Sequence, residues 1–77
     1  MNIKVKLFGV LADELQRQEV TMNNISDVRS LEKQLLDFHP VFNRVHCRIA
    51  VNRKLVTDNM VLHSSDEVAV MPPFSGG

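Results

Sequence analysis

The residues best placed for chemistry stand at the end of this 77-residue sequence, in Pro72-Pro73-Phe74-Ser75-Gly76-Gly77. Each proline fixes its own φ, so the pair enforces an extended path. A glycine pair follows, and Gly9 is the only other glycine in the sequence. Residues without side chains can enter a narrow channel and lay their backbone against a catalytic centre. Fully extended, the six residues reach roughly 20 Å. A carboxylate at such a tip is open to adenylation, because nothing crowds the attacking oxygen. The plain alternative is a frayed terminus without a role.

Other candidates are weaker. Cys47 follows His46 in an alternating, strand-like stretch, where a buried structural thiol is the ordinary reading and a reactive one the exception. His39, His46 and His63 lack ligand-like spacing, so no metal site is expected. Asp66 and Glu67 are adjacent and so point to opposite faces of a strand, which suits turn and solvent roles better than paired acid–base work. Gly9 stands alone, so there is no glycine-rich phosphate loop, and any ATP is expected to be held by a partner.

Composition narrows the classes further. The chain carries 9 Lys+Arg and 9 Asp+Glu for a formal net charge of zero, and 44% of its residues are hydrophobic. No basic block is present, which argues against nucleic acid as a partner. No apolar run is long enough to cross a membrane, and the alternating start Met1-Asn2-Ile3-Lys4-Val5-Lys6 does not read as a signal peptide. A single cysteine cannot form an internal disulfide, and the expected compartment is the reducing cytoplasm.

These groups need elements to position them. Ile3, Val5 and Leu7 alternate with Lys4 and Lys6 as one strand, and Phe8 falls on the lysine face. Residues 9–15 suit a helical turn, and residues 19–22 a short strand ended by Asn23-Asn24. A helix of about three turns follows, capped by Ser26 or Asp27, with Val28, Leu31, Leu35 and Phe38 on its apolar stripe. Pro40 ends it at His39, and residues 39–46 form a connection. Residues 47–51 alternate as a strand, and Asn52-Arg53 turns the chain into residues 54–56. Residues 57–65 form a loop anchored near Val61-Leu62. Ser65-Asp66 turns into the last strand, residues 67–71, which Pro72-Pro73 stops.

One helix covers one face of a sheet. Periodicity alone supports a small α+β domain, and if the first and last strands pair in parallel at the centre with hairpins outside them, the fold class is α+β of the β-grasp type. It would have a mixed sheet of four to five strands and one main helix on one face. The expected division is a domain of residues 1–71 and a flexible tail of residues 72–77.

The segment Ala50-Val51-Asn52-Arg53-Lys54-Leu55-Val56, with Asp66-Glu67-Val68-Ala69-Val70-Met71-Pro72-Pro73-Phe74-Ser75-Gly76-Gly77, resembles the MoaD/ThiS family of ubiquitin-like sulfur carriers. The likeness is greatest to its MoaD branch, the small subunits of molybdopterin synthase. Leu7-Phe8-Gly9 and Ala12-Asp13-Glu14-Leu15 resemble the family's first strand and turn, more loosely. Phe74 replaces the valine usual before the last three residues.

The resemblance implies a mechanism centred on Gly77. An E1-like (MoeB-like) enzyme would adenylate its carboxylate with ATP, and a sulfur donor protein would convert the acyl-adenylate to a thiocarboxylate. The tail of Phe74, Ser75, Gly76 and Gly77 would then enter the large (MoaE-like) synthase subunit and give sulfur to precursor Z, cyclic pyranopterin monophosphate, in molybdenum cofactor synthesis. The chain would bind no cofactor and be non-catalytic alone. Phe8, Leu55, Met71 and Phe74 would form the partner surface. The alternatives are a carrier for thiamine thiazole or tRNA thiolation, and a ubiquitin-like modifier or interaction module.

Overall fold

A computed structural model of the chain describes residues 2–73. The first strand, β1 (Ile3–Leu7), buries every second side chain, as its alternation requires. It leads through a helical turn, α1 (Val10–Leu15), into β2 (Glu19–Met22). The hairpin pairs Val5 with Val20 and Ile3 with Met22, both inward.

The main helix, α2 (Val28–Phe38), starts where the sequence can satisfy its free backbone amides. The Asp27 carboxylate accepts from the Ser30 amide at 2.8 Å, and the Ser30 hydroxyl accepts from the Asp27 amide at 3.1 Å, completing a capping box. The bond from the Ser30 amide, and then that from the Asn59 side chain, hold the Asp27 carboxyl below its usual range. Val28, Leu31 and Leu35 are buried as the periodicity predicts, and enclosing a leucine of this kind contributes about 1.5–3 kcal/mol. Phe38 departs from the predicted stripe and is half exposed.

The place at the end of that stripe is filled by a further short helix, α3 (Val41–Arg44), inside what the sequence suggested was plain connection. Pro40 supplies its first turn with φ −59, and the His39 ring nitrogen Nδ1 accepts from the Val41 amide at 3.0 Å. Val41 and Phe42 are buried.

The chain then forms β3 (Arg48–Val51), β4 (Lys54–Leu55) and β5 (Val68–Met71). The sheet order is β2-β1-β5-β3-β4, with β1 and β5 parallel at the centre and every other pair antiparallel. This is the predicted topology with the upper strand number. The loop before β5 is tied to the start of α2. Val28 donates to the Met60 carbonyl at 3.0 Å, Leu62 to Ser26 at 2.9 Å, and the Asn59 side chain accepts from the Arg29 amide at 2.9 Å. Leu62 is the buried anchor that the sequence suggested. The inward faces of the five-stranded sheet and the helices share one core, so the opposite sheet face is left uncovered.

Candidate functional site

The uncovered face follows from strand pairing. Lys6, Ala69, Ala50 and Leu55 lie in one cross-strand row. Arg48 pairs with Met71 in the next row, and Phe8 follows Leu7 in the β1 register against Val70. The two alanines leave the centre of the face low. Around them Phe8 and Leu55, each 48% exposed, and partly buried Met71 form the apolar rim of a shallow depression of about 360 Å³. Phe8, Leu55 and Met71 were expected to share a face, and here they do. Phe74, Ser75, Gly76 and Gly77 lie outside the described residues.

One side of the depression is charged. The Glu67 carboxylate accepts from the Lys6 ammonium through Oε2 at 3.2 Å and from the Arg53 Nε through Oε1 at 3.3 Å. Lys6 first, then Arg53, holds this carboxyl below its usual range. Arg53 is presented by the two-residue turn between Val51 and Lys54, in which Asn52 and Arg53 have φ 51 and 70. Positive φ at both centres is the requirement of a tight type I′ hairpin. The Asn52 side chain fixes that turn to the entry of β5, accepting from the Glu67 amide at 2.9 Å and donating to Asp66 at 3.1 Å. Asp66 also accepts from the His63 amide at 2.8 Å, and this bond, with Asn52, lowers its pKa. Both carboxylates thus do the structural work that their adjacency suggested.

At the other end of the face the chain leaves β5 against the β1–α1 turn. Gly9 has φ 59 and ψ −135, and a Cβ on it would lie 2.9 Å from Cγ of Pro72. No L side chain fits there without movement. The path by which the tail leaves the sheet therefore rests on a glycine in the first turn, which the sequence showed only as an isolated residue.

Cys47 sits just before β3 rather than within it, half buried, with its thiol directed at the Val45 carbonyl at 3.3 Å. Burial pushes the thiol pKa up. Among the described residues no group of three His, Cys, Asp or Glu is placed to hold a metal. No helix among them is long and apolar enough to cross a membrane.

A mixed five-stranded sheet with a central parallel pair and its helices on one face defines a ubiquitin-like β-grasp protein. The solved structure of SAMP1 from Haloferax volcanii has the same fold, with a TM-score of 0.77, 25% identity and full coverage of both chains. So does a chain in the complex of subunits 1 and 2 of molybdopterin-converting factor from Helicobacter pylori, at 24% identity, a TM-score of 0.73 and full coverage of both chains. The ThiS family profile matches residues 5–77, and this chain belongs to that family. The molybdopterin synthase sulfur carrier subunit of Mycobacterium tuberculosis is 36% identical over 83 aligned residues, covering 100% of this chain and 99% of that protein.

Proposed function

We propose that this chain is a sulfur carrier subunit of molybdopterin synthase. The observation that carries the reading is the full-length, 36% identity to a sulfur carrier subunit of that synthase. Membership in the ThiS family and the Pro-Pro and Gly-Gly ending support it.

On this reading a partner enzyme binds ATP, the Gly77 carboxylate attacks its α-phosphate, and pyrophosphate leaves as the acyl-adenylate forms. Hydrosulfide supplied by a donor protein displaces AMP and leaves a thiocarboxylate. A carboxylate is a poor electrophile, and adenylation supplies the leaving group that it lacks. Tethered sulfur then reaches its acceptor at high effective concentration. The Phe8, Leu55 and Met71 face docks the large subunit while the tail delivers sulfur to the pterin precursor. The Helicobacter complex, built on the same fold, supports a two-subunit assembly.

The test is intact-mass spectrometry after incubation with an E1-like enzyme, ATP and a sulfur source. The expected product is heavier by the difference between one sulfur and one oxygen atom. Deleting Gly77, or adding a residue after it, should abolish that gain with the fold intact. Full activity in such variants would overturn the reading. The likeness to SAMP1, a small archaeal modifier protein, favours a second reading as a protein modifier. An isopeptide between Gly77 and a target lysine would identify it.

A further inference from the structure

Arg53 occupies a position that its backbone makes costly. In a hairpin turn with positive φ at both centres, asparagine is well tolerated at the first and glycine is favoured at the second. Here the second is arginine, at φ 70. The return within the chain is small. Its side chain is 88% exposed and meets Glu67 at 3.3 Å, and an ion pair so open to water adds little to stability.

The surroundings suggest where the return lies. The strand residues of this face, with Arg53 and Glu67, comprise Lys4, Lys6, Arg48 and Arg53 against Glu19 and Glu67. That is an excess of two positive charges on a chain whose formal net charge is zero. The depression floored by Ala50 and Ala69 has room for one apolar side chain, and Arg53 stands on its rim.

We infer that this face takes a protein surface presenting an apolar side chain flanked by carboxylates, and that Arg53 reads the charged part of that surface. In the free chain Glu67 holds the Lys6 ammonium and the Arg53 guanidinium beside the depression. On docking, a partner carboxylate engages the exposed guanidinium, and the apolar side chain enters between Phe8, Leu55 and Met71. The inference rests on the docking role proposed above and specifies the partner's chemistry. The neutral charge of the whole chain and the alanine floor suit a protein surface better than a nucleic acid backbone.

The test titrates the large molybdopterin synthase subunit of the same organism against the wild-type chain, Arg53→Gly and Arg53→Glu at low and high salt, with thermal unfolding of each chain in parallel. Arg53→Gly should bind about tenfold more weakly, while its midpoint of unfolding stays level or rises. Arg53→Glu should bind more weakly still, and high salt should narrow the gap between wild type and variants. Wild-type binding that Arg53→Gly leaves unchanged, or a loss of affinity matched by a loss of stability, overturns this inference alone. Failure of the wild-type chain to bind overturns the docking reading and the inference together.

Discussion

Single residues set the two ends of the exposed face. Gly9 combines a left-handed φ with a contact that leaves no room for a Cβ. Gly9→Ala should lower stability by about 1–3 kcal/mol, read from urea unfolding. A D-alanine at the same position is the control. Its mirror-image preference suits φ 59, and its methyl does not take the L-Cβ position that meets Pro72, so most of the loss should be recovered. Recovery by Pro72→Ala instead would assign the cost to the steric contact alone. Cys47 makes a separate prediction. With its thiol raised by burial, alkylation by iodoacetamide should be slow at neutral pH and accelerate only in alkaline solution. Cys47→Ala should leave sulfur loading of the tail unchanged, as measured by mass. Neither Gly9 nor Arg53 announces its role in the sequence. A glycine states a freedom without naming the neighbour that needs it, and Glu67 lies 61 residues from Lys6 and 14 from Arg53.

Elements were more legible, because their signals are periodic and local. Helix α2 has its cap, its stripe and its proline stop in one continuous stretch, and the structure keeps the cap, the stop and the stripe as far as Leu35. The stripe misled only at Phe38, where the helix ends and Phe42 of the next turn takes the buried place. Helix α3 has four residues, too few to show a period, although Pro40 ahead of two apolar residues was the available signal. The α2 cap also predicts an acid response. Asp27 has its folded pKa depressed, so its contribution is present above the unfolded carboxylate pKa and is lost as pH falls through the folded one. Asp27→Asn keeps a good capping side chain but cannot titrate. Urea unfolding should therefore show similar stability for the two chains at neutral pH. Below about pH 4 the variant should have the shallower decline. Equal slopes would show that the cap does not carry the acid sensitivity.

At the scale of the whole molecule, the first and last strands meet in the middle of the sheet, with Val5 beside Val68. Pairings so distant in sequence form late, because loop closure must precede any contact. Refolding by stopped flow should be slower than for a helical bundle of similar length, in the millisecond to second range, roughly as other sheet-rich domains behave. A microsecond phase of full amplitude would contradict this. Periodicity alone reached only a small α+β domain, and the central parallel pairing of the first and last strands was the arrangement that the family resemblance supports, which the structure has. The exposed face was readable only in its apolar part, since its charged rim depends on register between strands. That topology also bears on how the protein is made. A ribosome releases β1 first and β5 last among the strands, and the exposed face draws on β1, β3, β4 and β5 together. A partially synthesised chain has no such face to offer. Any protein that binds there distinguishes finished chains from unfinished ones before chemistry begins.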